Sequence, residues 1–237
     1  MDVLLVRLLL VRLFDASRNR QVPVTLYWPA SRDCSPHQPC PVALLSSGYG
    51  VAHDRYGFIA ASLQQAGYLV VAIQHELPGD PPLATSGKLF ERRQENWQRG
   101  ALTLAFVRAT LADRYPGYDF DRLTLIGHSN GGDISAWLAA SNAPYISRLI
   151  TLDHRRVPLP RNPAITMLSL RGSDLAPDAG VLPAANEQPG LRLCVVPIRH
   201  ARHNDMTDAG PRWLQATIVT RLSGHLAGVD CALLRGL

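Results

Sequence analysis

Apolar residues in this chain are grouped in short runs, separated by longer segments in which apolar and polar residues recur at helical spacing. The first two runs, residues 3–13 and 22–28, flank a polar turn at Asn19 and Arg20, a pattern that predicts a β-hairpin. Further runs of strand length predict strands at residues 42–46, 68–74, 123–127, 146–152, 164–170 and 191–197. Helices are predicted at residues 54–66, 90–114, 130–141 and 213–226.

The order of these elements predicts an α/β fold. A leading antiparallel hairpin followed by repeated strand–helix units predicts a mostly parallel central sheet with helices on both faces. No linker, low-complexity stretch or internal repeat divides the chain, so we expect a single domain over residues 1–237. Ligands bind such sheets at the carboxyl ends of the strands, which makes polar residues there the first functional candidates.

The formal net charge of +5 comes almost entirely from arginine, because Lys88 is the only lysine. Apart from two short pairs, the arginines are scattered, whereas a nucleic-acid site requires a clustered basic face. Beyond the N-terminal run, no stretch is long and apolar enough to span a membrane. We therefore expect a small-molecule ligand, and neither a nucleic-acid partner nor an integral membrane segment.

The N-terminal run is apolar like an export signal, but Asp2 replaces the basic start of such a signal and Arg7 interrupts its apolar part. These features favour a first β-strand and a cytoplasmic protein, with the periplasm or secretion as the alternative if the N-terminus is truncated. Cys34 and Cys40 bracket a proline-containing loop and could close a disulfide, and their pairing stays open at this stage. Cys194 lies in an apolar run that predicts a buried thiol.

The strongest chemical signal is the segment Gly127-His128-Ser129-Asn130-Gly131, which lies between a β-branched apolar run and an Ala-rich helical segment. Gly-x-Ser-x-Gly in a strand–turn–helix context is typical of a nucleophile elbow, in which a tight turn holds the serine hydroxyl clear of the backbone. The N–H of Asn130 would lie at a helix N-terminus, where it could stabilise an oxyanion. The alternative is a glycine-rich turn that closes an ordinary strand–helix unit.

A nucleophilic serine needs an imidazole to accept its proton and a carboxylate to orient that imidazole. His200 and His203 both follow the last predicted strand, and His203 is favoured because it lies deeper in the loop. Asp174 follows the strand at residues 164–170 and is the favoured acid. Its rivals are Asp153, directly after the preceding strand, and Asp178.

The loop after the strand at residues 42–46 contains Gly48 and Gly50, and glycine allows a backbone to approach a ligand closely. We expect the N–H of Tyr49 to be the second oxyanion donor, beside that of Asn130; a plain glycine turn is the alternative. His128 is expected to pack or hydrogen-bond beneath the elbow. No Cys-x-x-Cys pair or further ligand cluster accompanies the histidines, so neither zinc nor another metal is expected.

These residues resemble the α/β-hydrolase superfamily from Val22 to the terminal helix, on the motifs Ser47-Gly48-Tyr49-Gly50, Gly127-His128-Ser129-Asn130-Gly131-Gly132, Arg171-Gly172-Ser173-Asp174 and His203-Asn204-Asp205. Segments 18–29 and 67–76 resemble bacterial dienelactone-hydrolase-like and platelet-activating-factor-acetylhydrolase-like proteins more loosely. Ser47 departs from the His-Gly motif of many relatives, and Ser129 stands where true dienelactone hydrolases carry cysteine.

The resemblance implies a serine hydrolase that cleaves carboxylic esters through an acyl-enzyme on Ser129, with Asp174 and His203 completing the triad and no cofactor. A thioesterase, an amidase or an acyltransferase would use the same triad, and a non-catalytic binding member of the fold is the third hypothesis. The loop at residues 75–87 is too short for a large lid, which favours small acyl groups.

Overall fold

The computed structural model describes residues 8–30 and 33–237, and residues 3–7 of the first predicted strand lie outside this part. The chain opens with the expected hairpin, in which β1 (Leu8–Asp15) and β2 (Arg20–Tyr27) pair antiparallel. Asn19 turns the chain with a positive φ of 48°, a conformation that asparagine tolerates better than most residues.

The described residues form one eight-stranded sheet of order β1-β2-β4-β3-β5-β6-β7-β8. β2 pairs antiparallel with β4, and every pair from β4 to β8 is parallel, which confirms the mostly parallel sheet with a leading hairpin. The remaining strands are β3 (Cys40–Ser46), β4 (Leu69–Ile73), β5 (Tyr118–His128), β6 (Ile146–Leu152), β7 (Thr166–Arg171) and β8 (Leu193–Pro197).

The predicted helices are present with small shifts at their ends. They are α1 (Gly57–Gln65), α2 (Leu89–Arg114), α3 (Asn130–Ala140) and α4 (Arg212–Leu226). The structure adds a short C-terminal helix, α5 (Cys231–Gly236), and a 3-10 turn, His203–Asp205, neither of which the periodicity predicts. Both are too short to show a helical repeat of apolar residues.

Alternate side chains of the central strands enter two separate apolar layers. On β3, Val42 and Leu44 pack with α2 and α3 on one face, whereas Ala43 and Leu45 pack with α1 and α4 on the other. Burial on both faces explains why these strands are continuously apolar rather than alternating. Each large side chain buried in this way contributes about 1.5–3 kcal/mol of transfer free energy.

The chain runs from β3 to β4 on one side of β3 and later to β5 on its other side. Such a reversal of strand order leaves a crevice at the carboxyl ends of the strands. Here the crevice lies beyond Ser46 of β3 and Gly127 of β5, which are register partners. It therefore opens beside the Gly-x-Ser-x-Gly turn.

All four cysteines are paired, Cys34 with Cys40 and Cys194 with Cys231. The expectation that Cys194 is a buried thiol is wrong, because Cys194 is disulfide-bonded to Cys231; α5 is too short for its packing against β8 to be predicted from periodicity. The second disulfide joins these two elements across 37 residues of chain. No helix within the described residues is long and apolar enough to cross a membrane.

The longer disulfide is expected to contribute more to stability than the shorter one. Loop-closure entropy predicts about 4 kcal/mol for a separation of 37 residues and about 2 kcal/mol for a separation of 6 residues. Urea unfolding of a Cys194→Ala/Cys231→Ala variant and of a Cys34→Ala/Cys40→Ala variant would measure both. An equal or larger loss from the Cys34–Cys40 pair would contradict this ranking.

Candidate active site

Ser129 lies in a sharp turn between β5 and α3, with φ 52° and ψ −123°. A non-glycine residue with positive φ is uncommon and costs free energy that the surroundings must supply. The glycines on either side make the turn possible, since a Cβ at Gly127 would lie 2.3 Å from the carbonyl oxygen of Gly131, and a Cβ at Gly131 would lie 2.3 Å from that of Ser46. The expected strand–turn–helix context is confirmed.

His203 lies at the start of the 3-10 turn that follows β8, and its side chain is buried against the elbow. Its Nε2 is 2.8 Å from the hydroxyl oxygen of Ser129, and its Nδ1 is 2.6 Å from Oδ2 of Asp153. Because a carboxylate only accepts, Nδ1 carries the hydrogen and Nε2 accepts from the serine hydroxyl. His200 is exposed in the turn just after β8, as expected of the weaker candidate.

The carboxylate at the imidazole belongs to Asp153 and not to Asp174, which the sequence analysis favoured. Asp153 comes directly after β6, the strand beside β5, and is completely buried. Asp174 is exposed, and its Oδ1 accepts the backbone N–H of His203 at 2.8 Å. Asp178, the third candidate, pairs with Arg156 instead. Asp174 therefore holds the main chain of the histidine, while Asp153 contacts its ring.

The second carboxylate oxygen of Asp153 also has hydrogen-bond and charge partners. Oδ1 accepts the N–H of Gly172 at 2.9 Å and lies 2.9 Å from the guanidinium of the buried Arg171. Burial acts to raise the pKa of Asp153, but the hydrogen bond from His203, the charge of Arg171 and the N–H of Gly172 together lower it below its ordinary value. The carboxylate thus stays charged where it faces the imidazole.

A second buried carboxylate, Asp133 in the first turn of α3, fixes the loop that carries Asp153. Its Oδ1 accepts the backbone N–H groups of Arg155, Arg156 and Val157 at 3.2, 2.8 and 2.9 Å. Burial raises the pKa of Asp133 to about 6, against the effect of these three bonds. The loop after β6 is in this way attached to α3, the helix that follows Ser129.

The side chain of Asn130 is held in a buried polar cluster next to the elbow. Its Nδ2 donates to Glu76 Oε1 at 3.2 Å and to Asn96 Oδ1 at 2.8 Å, and its Oδ1 accepts from the indole N–H of Trp97 at 2.9 Å. Burial raises the pKa of Glu76 above its ordinary value. None of the three partners Glu76, Asn96 and Trp97 was identified from the sequence.

The loop after β3 lies at the carboxyl end of the sheet, as expected. Tyr49 is 42% exposed, and its hydroxyl oxygen accepts the N–H of Leu83 from the loop between β4 and α2. That loop is also held at Ala84 and Ser86, whose carbonyls accept from Arg93 and Arg92. The roles of the Tyr49 and Asn130 N–H groups as oxyanion donors stay a prediction.

Buried histidines surround the site. His75 bonds the hydroxyl of Ser46 through Nε2, and His154 is completely buried with neither ring nitrogen bonded within the described part of the chain. Burial lowers the pKa of His75 and of His154 to about 3, and that of His128 to about 4. Among the described residues, no group of three or more His, Cys, Asp or Glu side chains could hold a metal ion.

The sequence matches no family model and no curated protein. Solved structures do share its fold. A dienelactone hydrolase-like promiscuous phosphotriesterase from metagenomic libraries is 16% identical, with a TM-score of 0.69 over 94% of this chain and 98% of that one. A ferulic acid esterase from Streptomyces cinnamoneus is 17% identical, with a TM-score of 0.63 over 96% and 89%.

A third such structure is esterase 2 of Thermogutta terrifontis, phosphoramylated by tabun, which is 13% identical with a TM-score of 0.65 over 94% of this chain and 95% of that one. Identities this low establish the fold and no more. Together with the strand order, they confirm that the chain has the α/β-hydrolase fold expected from its motifs.

The buried histidines predict a loss of stability in mild acid. Each has a lower pKa in the folded state than the ordinary value near 6.5, so between these values only the unfolded chain binds the proton, and stability falls as the pH drops. Burial also lowers the pKa of His225 to about 4, which adds to the effect, whereas Asp133 and Glu76, whose pKa values burial raises, offset part of it. We expect the unfolding free energy to be at least about 2 kcal/mol lower at pH 5 than at pH 7.

Urea unfolding at the two pH values measures this difference. A His154→Gln variant should show a smaller difference, because one titrating group is removed. Equal stability of the unmodified protein at pH 5 and pH 7 would contradict the prediction.

Proposed function

We propose that this protein is a serine hydrolase that cleaves carboxylic esters through an acyl-enzyme on Ser129. The observation that carries the proposal is the continuous row of hydrogen bonds from the Ser129 hydroxyl through the His203 ring to Asp153. A nucleophile, a base and an orienting carboxylate within bonding distance are what acyl transfer to a serine requires.

The proposed reaction uses these three hydrogen-bonded side chains in turn. Nε2 of His203 accepts the hydroxyl proton as Ser129 Oγ attacks the acyl carbon, and the imidazolium that forms is stabilised by the charged Asp153. The backbone N–H groups of Tyr49 and Asn130 bind the oxyanion. His203 then delivers its proton to the leaving alcohol as the ester bond breaks. Water, activated by the same imidazole, hydrolyses the acyl-enzyme and regenerates Ser129.

The acid of the triad is assigned to Asp153 in place of Asp174. Two features support this assignment, namely the 2.6 Å contact with Nδ1 of His203 and the buried charge partner Arg171. Asp174 is assigned a supporting role through the main chain of His203. The amide of an Asp174→Asn variant could still accept that N–H, whereas the ring contact of Asp153 depends on negative charge.

Small esters are the substrate class that the site favours. The loop between β4 and α2 is attached to Tyr49 and to the start of α2, which leaves it short and braced instead of forming a large mobile cover. Esterases are among the structures that share the fold, and one of them is described as phosphoramylated by tabun, an organophosphorus reagent. A related reagent is therefore a suitable probe for Ser129.

We also propose that the protein works in an oxidising compartment, which replaces the cytoplasmic expectation. Two disulfides and no free cysteine within the described residues are typical of exported proteins. Four free thiols in protein isolated from its natural host would contradict this.

A fluorophosphonate probe is expected to form a single adduct on Ser129, because among the described residues only that hydroxyl is hydrogen-bonded to a histidine–aspartate pair. Intact-mass measurement and peptide mapping locate the adduct, and turnover of p-nitrophenyl acetate and butyrate is measured beside it. Ser129→Ala and His203→Ala should lose both signals and keep the unfolding midpoint within a few degrees.

A well-folded wild-type protein without an adduct would reject the proposal in favour of a binding protein of the same fold. Product analysis with competing alcohols, amines and thiols would separate a hydrolase from an acyltransferase. Parallel thioester and amide substrates would define the bond that is cleaved.

The two aspartates should differ sharply when each is replaced by asparagine. Asp153→Asn is expected to lower kcat by about 10,000-fold, because the amide cannot stabilise the imidazolium and can favour the wrong tautomer. Asp174→Asn should lower kcat less than about 10-fold, since one backbone hydrogen bond is retained or weakened. Steady-state kinetics with p-nitrophenyl butyrate measures both, and a reversed order would return the acid role to Asp174.

A further inference from the structure

A buried chain of hydrogen bonds connects the loop after β3 to the main chain of His203. The N–H of Gly48 donates to the hydroxyl oxygen of Tyr56 at 2.9 Å. That oxygen is 2.9 Å from Nδ1 of His128, whose Nε2 is 2.9 Å from the carbonyl oxygen of His203. Tyr56 and His128 are 1% and 2% exposed, so water does not compete for these bonds.

The donors and acceptors along this chain can be assigned. A carbonyl oxygen only accepts, so Nε2 of His128 carries a hydrogen. Burial lowers the pKa of His128 to about 4, and the neutral ring therefore presents a lone pair at Nδ1. The Tyr56 hydroxyl donates its hydrogen to that lone pair and accepts from Gly48. Burial raises the pKa of Tyr56 well above its ordinary value, so the hydroxyl keeps its hydrogen at neutral pH.

The residues around this chain of hydrogen bonds are closely packed. A Cβ at Gly48 would lie 3.0 Å from Nδ1 of His128 and 3.4 Å from the Tyr56 hydroxyl, so the backbone approaches both groups at a distance that a side chain would disturb. The rings of His128 and His203 lie 5.1 Å apart between centroids. Tyr56 itself is anchored in the apolar layer under α1 and α4.

We propose that Tyr56 and His128 are positioning residues that hold three backbone segments in register, namely the Gly48–Tyr49 loop, the Ser129 elbow and the start of the His203 turn. His128 precedes Ser129 in the chain, so the link to the nucleophile is covalent. The inference rests on the proposed function, because the three segments carry the expected oxyanion donor, the nucleophile and the base.

The relative position of these three segments is expected to affect the acylation rate more than the free energy of unfolding. A displacement of about 1 Å between reacting groups can cost about 100-fold in rate. Without the Tyr56 hydroxyl, the Gly48 N–H and the His128 Nδ1 both lose their partner in a buried space, and the loop is expected to move to recover one. The N–H of Tyr49, one residue further on, would move with it.

The test compares Tyr56→Phe with Tyr68→Phe. Tyr68 is a matched control, because it is also buried but precedes β4, at the opposite end of the sheet from the site. Under single-turnover conditions with p-nitrophenyl butyrate, Tyr56→Phe is expected to lower the acylation rate about 10- to 100-fold while the apparent binding constant changes less than about 3-fold. Tyr68→Phe should stay within about 2-fold.

A double-variant comparison separates the proposed link from independent packing effects. His128→Gln keeps a donor near Nε2 for His203 and loses the acceptor for Tyr56. If the two residues act through the same chain of hydrogen bonds, the acylation rate of Tyr56→Phe/His128→Gln should match that of the slower single variant within about 3-fold. Multiplication of the two single losses in the double variant would overturn the proposal.

Two further outcomes keep the proposals apart. A wild-type acylation rate in folded Tyr56→Phe overturns the positioning role, whereas absence of any fluorophosphonate adduct on wild-type Ser129 overturns the proposed function. If Tyr56→Phe does not fold, His128→Leu replaces it, because leucine removes both links at similar volume. A wild-type acylation rate in His128→Leu overturns the positioning role equally.

Discussion

The site depends on how closely α3 approaches the ends of β3 and β5. Backbone atoms of the elbow, of Gly131 and of Ser46 lie at distances that leave no room for a Cβ at Gly127 or Gly131. This contact forces Ser129 into a left-handed conformation and directs its hydroxyl away from the strand. Any side chain at these two glycines would separate the helix from the sheet and displace the serine from His203.

Two buried charged groups next to the site, Asp133 and Arg171, each hold a loop in place. Asp133 gathers three successive N–H groups after β6, and Arg171 donates to the carbonyl of His154 while it faces Asp153. Buried charges are tolerated only with partners of this kind. The consequence is that loops leaving three neighbouring strands are rigidly related, although little regular structure connects them.

The elements, the parallel sheet, the serine and the histidine could be predicted because each has a local signature. The Gly-x-Ser-x-Gly motif is defined by adjacent residues, and strands can be predicted from runs of apolar residues alone. The choice between Asp153 and Asp174 could not be made, because both follow parallel strands at the same edge and the answer depends on loop conformation. Asp153 has a φ of 49°, which no pattern in the sequence indicates.

The same limit applies to contacts between distant segments. Nothing near Tyr56 or Glu76 in sequence shows that they meet His128 or Asn130, which lie 72 and 54 residues away. The pairing of Cys194 with Cys231 is equally non-local, since α5 is too short for its position to be read from periodicity.

The Cys194–Cys231 bond closes a covalent ring of chain that contains His203 and the whole of α4. A single cut of the backbone anywhere inside this ring leaves both fragments joined through the sulfurs. Loss of α4 by proteolysis therefore requires either two cuts or one cut and a reductant, and His203 stays tethered to the sheet after the first cut.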